Sequence, residues 1–136
     1  MIVDTSALVA ILANEPGSAP MLMALADERG TIPAPVCVEF LRVASGSRHR
    51  QRQHAEDLLA RLEQHGCTVL AFSAAHARLA MTAEPVHGSG NATGGLLNLL
   101  DLMVYAVAKA RGEPVLCTGK DFAATDIALH PASRPY

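Results

Sequence analysis

This sequence predicts an α/β fold with a mainly parallel sheet, and three observations carry the prediction. Short apolar runs alternate with longer stretches of helical periodicity along most of the chain. The boundaries between them carry Gly, Pro or a capping side chain. At 136 residues, 50% of them hydrophobic and 18% charged, the chain is long enough for a core of its own. We therefore expect a single domain over residues 1–136, with a central sheet of about four or five strands flanked by helices.

The elements follow in order. Ile2 and Val3 end a short buried strand, and Ala7 to Ala13 reads as a helix broken near Asn14-Glu15-Pro16-Gly17. A second helix spans Ala19 to Glu28 and is closed by Gly30. Thr31 to Pro33 is a short strand. Pro35 then suits the first turn of a helix that runs to Ala44 and stops at Gly46. Gln53 to Gln64 is amphipathic, with Leu58, Leu59 and Leu62 on one side. The apolar run Cys67 to Phe72 suits a buried strand, and Ser73 caps a helix expected to end before Pro85. His87 to Gly95 is a loop by its glycine content and a candidate mobile lid. A helix from Leu99 to Arg111 ends at Gly112. Pro114 to Cys117 is a strand, Thr118 to Thr125 a loop, and Ile127 to Leu129 a last short strand.

Composition narrows the function. Eleven Lys and Arg against thirteen Asp and Glu give a net charge of −2, so no global basic footprint for nucleic acid exists. Three Phe, two Tyr and no Trp leave little for aromatic base stacking. Cys37, Cys67 and Cys117 are odd in number and sit in or beside apolar runs, which suits buried free thiols in a reducing compartment. No basic leader precedes Asp4 and no apolar stretch of membrane-spanning length occurs, so a cytoplasmic protein without membrane contact is expected. The histidines form no H-x-x-x-H pair, and neither a P-loop nor a G-x-S-x-G elbow is present.

The carboxylates are more informative. Asp4 follows the first strand, where it can cap the next helix or hold a metal. Glu39 lies in PVCVEFLRVA among apolar neighbours, where a carboxylate needs a partner; Arg42, three residues on, is one option. Asp101 lies in NLLDLMVYAVAKA and forms a capping-box pattern with Asn98. Asp121 follows the PVLC strand, as a turn residue or a ligand, and Asp126 reads as a turn residue near the final strand. In open parallel sheets ligands gather beyond the carboxyl ends of the strands. Four carboxylates meeting there would repel one another unless a cation joined them, and oxygen donors suit Mg²⁺ or Mn²⁺.

These residues resemble a known family, the PIN-domain ribonucleases, and within it the VapC-type toxins of bacterial toxin–antitoxin modules. IVDTSALVAIL resembles the first motif, and Glu39 in PVCVEFLRV the second. LNLLDLMVYAVAKARGEPVLCTGKDFAATDI resembles the third and fourth, with similar order and spacing. The likeness runs from Met1 to about Ile127. Its most specific part is a D-x-x-x-Y-A-x-A-K helix, a strand and a D-F-x-x-T-D-I loop. Leu100 stands where the family often has Gly, and Thr93-Gly94 where it often has His-Pro. The resemblance implies a PIN-like fold and Mg²⁺- or Mn²⁺-dependent endoribonuclease activity. It assigns the metal most firmly to Asp4 and Asp101, with Glu39 and Asp121 completing the acidic site and Asp126 at its margin. It also implies a VapB-type antitoxin partner and a homodimer. Thr5 and Ser6 are placed to hydrogen-bond the first carboxylate or a water on the ion.

RNA would meet this acidic site through the metal and a local basic patch, for which Arg42, Arg48, Arg50 and Arg52 are the candidates. Two other readings stay open. A phosphatase with Asp4 as nucleophile usually has a second aspartate two residues on, where this chain has Ser6. A catalytically inactive PIN-like binding or regulatory module is the other.

Overall fold

Two residues, Ile2–Val3 (β1), are wholly buried and form an inner strand of the sheet in a computed structural model that describes residues 1–136. A strand covered on both faces has to be apolar throughout, which is why so short a run suffices. The other strands are Thr31–Pro33 (β2), Thr68–Leu70 (β3) and Val115–Leu116 (β4). All pair in parallel in the order β3-β2-β1-β4. The chain builds outward from β1 to β2 and β3, then returns to place β4 on the other side. This makes the β1/β4 boundary a topological switch point, where loops diverge and leave a crevice.

Six helices flank the sheet: Thr5–Leu12 (α1), Ser18–Glu28 (α2), Ala34–Ser45 (α3), Arg52–Gln64 (α4), Ala74–His87 (α5) and Leu99–Arg111 (α6). Phe40, Leu8, Met21, Leu25, Ile32 and Leu116 are among the largest fully buried side chains. Each contributes about 1.5–3 kcal/mol through removal from water. Their helices are held in place mainly by this shared core, since eight to fourteen residues are marginal as free helices. No helix is long and apolar enough to cross a membrane.

The structure departs from the sequence reading at several points. Helix α2 is closed by Arg29 at φ 55°, and Gly30 serves another purpose. A Cβ on Gly30 would lie 2.7 Å from Val3 Cγ2 and 2.9 Å from Leu25 Cδ2, so close helix–sheet packing requires the glycine. Helix α5 continues through Pro85 to His87. Proline costs only one ladder bond that late, and the Gly88 N–H still closes the turn on Glu84 O at 2.8 Å. The run Cys67 to Phe72 is not a buried strand: β3 pairs only with β2, and Thr68 and Val69 at this sheet edge are exposed. Ile127 to Leu129 makes a single bridge to Val115 rather than a strand. Pro131 cannot donate to a ladder, and the Ser133 N–H turns back onto His130 O at 2.8 Å. The three cysteines are free, with Cys67 and Cys117 buried and Cys37 half-buried.

Candidate active site

The Asp4 N–H donates to Leu116 O at 3.0 Å, which fixes this residue at the carboxyl end of β1 beside β4. Its extended backbone (φ −89°, ψ 156°) makes it the N-cap of α1. Oδ2 accepts the Ser6 N–H at 2.9 Å and the Ser6 hydroxyl. The cap role therefore does not pass to Thr5 or Ser6, although that would have freed the whole carboxylate. Asp4 caps with one oxygen and keeps the other. Both Ser6 bonds fall on Oδ2, and Asp4 lines an open cavity.

The two hydroxyls beside Asp4 divide their work. Ser6 Oγ also accepts the Thr118 N–H at 2.9 Å and so links Asp4 to the loop after β4. The Thr5 hydroxyl does not turn to Asp4. It donates to Glu39 Oε2 at 2.5 Å. Glu39 thus finds its partner across the α1–α3 contact and forms no ion pair with Arg42. Helix α3 is also less enclosed than its apolar sequence implies, because Val38 is 71% exposed.

Asp101 repeats the logic of Asp4. Asn98 caps α6 by accepting the N–H groups of Leu100 at 2.8 Å and Asp101 at 3.0 Å, while Asp101 Oδ2 accepts the Asn98 N–H at 2.9 Å. Such a cap is worth about 1 kcal/mol. Here too the capping bond falls on Oδ2 alone. Asp121 opens a short 3₁₀ turn, Phe122–Ala124, and makes no capping bond to it.

All four carboxylates line one open cavity of about 410 Å³. Arg48 is its only cationic lining residue. Arg42 and Arg50 are exposed outside the lining, and Arg52 donates to Glu56 at 2.9 Å in an ordinary i,i+4 pair. Glu15, Asn98 and Tyr136 line the cavity without having been singled out for it. Glu15 follows Asn14, which bends the chain at φ 51°; only the length of α1 could have signalled where that bend would put it. The glycine-rich segment 87–95 does not line this cavity. It lines a neighbouring one of about 260 Å³ that shares Asp121. Asp126 lies outside the main cavity, turned toward α6.

The charges interact. Burial pushes the Asp4 carboxyl above its usual range, and the Glu39 charge adds to this against the lowering effect of Ser6. Asp101 is pushed up to about 6, first by burial and then by Asp4, Asp121 and Glu39. Burial, followed by the Asp4 charge, pushes the Cys117 thiol up to about 12, which leaves it protonated and unsuited to nucleophilic chemistry. No three acidic, cysteine or histidine side chains are gathered into a ready-made metal cage. The donor set nonetheless fits Mg²⁺ or Mn²⁺: it is all oxygen, its members raise one another's affinity for positive charge, and Mg²⁺ commonly uses one or two carboxylates and keeps several waters.

Known proteins resemble this chain in sequence and in fold. The PIN domain family matches residues 1–128. Ribonuclease VapC42 of Mycobacterium tuberculosis is 39% identical over 128 residues, which cover 93% of this chain and 96% of the relative. Among solved structures, M. tuberculosis VapC20, described as a sarcin–ricin loop cleaving toxin, superposes with a TM-score of 0.74 at 18% identity, covering 93% of this chain and 95% of that one. A toxin–antitoxin complex from Klebsiella pneumoniae gives a TM-score of 0.68 at 17% identity, covering 97% and 93%. The family match over nearly the whole chain, with 39% identity to a VapC ribonuclease across 96% of that relative, shows that the chain belongs to the PIN-domain family.

Proposed function

We infer that this protein is a metal-dependent endoribonuclease, the toxin of a toxin–antitoxin pair, which hydrolyses RNA phosphodiester bonds at the four-carboxylate cavity. The observation that carries the reading is the meeting of Asp4, Glu39, Asp101 and Asp121, from four separate segments, around one open space with a single arginine. Its likeness to VapC42 supports it.

Asp4 and Asp101 are the principal holders of Mg²⁺ or Mn²⁺, each through the oxygen its helix cap leaves free. Such an ion activates water and stabilises the departing oxygen of a phosphodiester. The Thr5 hydroxyl fixes the orientation of Glu39, while Asp121 makes no capping bond; one of these two carboxylates takes the proton from the attacking water. Arg48 reaches an RNA phosphate from the cavity lining, with Arg42 and Arg50 beside it on the α3–α4 segment. Ser6 is committed to Asp4 Oδ2 and Thr118, so nothing at that position supplies the second aspartate of a phosphatase.

Purified protein should cleave RNA with Mg²⁺ or Mn²⁺, stop on addition of a chelator and resume when the ion is restored. Cleavage that continues unchanged in excess chelator would overturn the reading. The likeness to toxin–antitoxin complexes supports a VapB-type antitoxin, whose arginine would enter the acidic cavity. We also propose a homodimer, for which the exposed Leu22, Met23 and Val38 offer apolar area. A strictly monomeric sedimentation profile at micromolar concentration would refute the dimer.

A further inference from the structure

The structure assigns Asp126 as a positioning residue: it fastens the segment that carries Asp121 to the face of α6 that carries Asp101. The assignment rests on reading the carboxylate cavity as the catalytic site.

Asp121 has no capping bond of its own, so its position depends on how the surrounding chain is held. Three points hold it. Before it, the Thr118 N–H donates to Ser6 Oγ at 2.9 Å. Directly after it, Phe122 is buried in the core. Beyond the 3₁₀ turn, Asp126 Oδ1 accepts the Tyr105 hydroxyl at 2.8 Å and Oδ2 accepts Lys109 Nζ at 2.5 Å.

The helix end of this clasp explains its reach. Asp101, Tyr105 and Lys109 are four residues apart in succession, so they form one stripe along α6. Asp126 docks on the last two members of the stripe whose first member faces the cavity. The D-x-x-x-Y-A-x-A-K and D-F-x-x-T-D-I segments therefore interlock through side chains.

A surface ion pair such as Lys109–Asp126 would by itself contribute little. Tyr105 makes the difference. It is only 6% exposed, and its ring packs on His87 with centroids 5.2 Å apart. A hydroxyl on so fixed a ring is costly to leave unpaired, and Asp126 is its acceptor. Both partners keep their roles at neutral pH. Burial, then Asp126, pushes the Tyr105 hydroxyl up to about 12, and Lys109, then Tyr105, holds the Asp126 carboxyl below its usual range. His87 Nε2 lies 3.8 Å from Asp126 Oδ1 and brings the end of α5 to the same point.

The test compares wild type with Asp126→Ala in three readouts. Amide hydrogen exchange over residues 119–125 is expected to quicken about tenfold while the sheet is unchanged. Affinity for Mn²⁺, titrated alone, is expected to weaken about tenfold, and kcat for RNA to fall by a similar factor with KM within about twofold. Asp126→Asn keeps an acceptor for Tyr105 and should recover part of each effect. Tyr105→Phe should add nothing in the Asp126→Ala background. If Asp126→Ala fails to fold, Asp126→Asn and Lys109→Met carry the same readouts. Wild-type exchange over 119–125 together with wild-type Mn²⁺ affinity would overturn the assignment, as would exchange that quickens equally throughout the sheet. If the wild-type protein cleaves no RNA with any divalent ion, the ribonuclease reading fails, and exchange and Mn²⁺ affinity still decide the role of Asp126.

Discussion

Asp4→Asn is expected to reduce RNA cleavage by about 10³-fold, because several kcal/mol of metal-derived stabilisation would be lost. The fold should survive. Asn is as good an N-cap as Asp, and its amide oxygen can accept the same Ser6 bonds. Stability should hold or rise in metal-free buffer at pH 7. Burial raises the Asp4 carboxyl in the folded state, so its ionised form opposes folding, and Asn removes that charge. Adding Mg²⁺ should then raise the melting temperature of wild type and leave the variant where it was. Cleavage at the wild-type rate would remove Asp4 from the mechanism. A variant that unfolds would show that the charge serves the helix cap and not an ion.

Much of this site was legible because parallel sheets put their loops in predictable places. Asp4 and Asp121 follow apolar runs too short to be anything but strands, and Glu39 and Asp101 interrupt apolar helices where an anion needs a reason. The sequence did not reveal that capping and cavity roles would be divided between two oxygens of one carboxylate. That division depends on side-chain rotation, which spacing does not encode. Among the arginines, spacing could not separate Arg48, which lines the cavity, from Arg52, which pairs with Glu56. Glu15 and Tyr136 reach the cavity through chain reversal and the placing of the last residues, both tertiary facts. At Gly30 the habitual explanation of glycine by its φ misled. The demand there comes from the side chains of Val3 and Leu25, which close on this position only in the folded chain.

Asp101→Asn offers the sharpest pH test. In wild type, burial and the three neighbouring carboxylates push Asp101 up to about 6, against 3.8 for the free side chain. Between these values the folded state binds more protons than the unfolded one, so stability falls as pH rises. Metal-free wild type should match Asp101→Asn below about pH 4, fall behind it as pH rises through 6, and stay behind at a constant margin above that. Saturating Mg²⁺ should reverse the order above pH 6. Below pH 6 the ion must displace a proton, so apparent Mg²⁺ affinity should drop about tenfold per pH unit in wild type. Asp4 is raised as well, so the measured midpoints belong to the coupled group, and the double Asn variant should flatten the whole dependence. A stability difference constant from pH 4 to 8 would mean that burial and the neighbouring charges do not raise the Asp101 carboxyl. The predicted dependence would tie two properties to one cause: the burial and repulsion that weaken the metal-free protein are what a bound divalent ion offsets, so affinity for the ion and instability without it should rise and fall together across these variants.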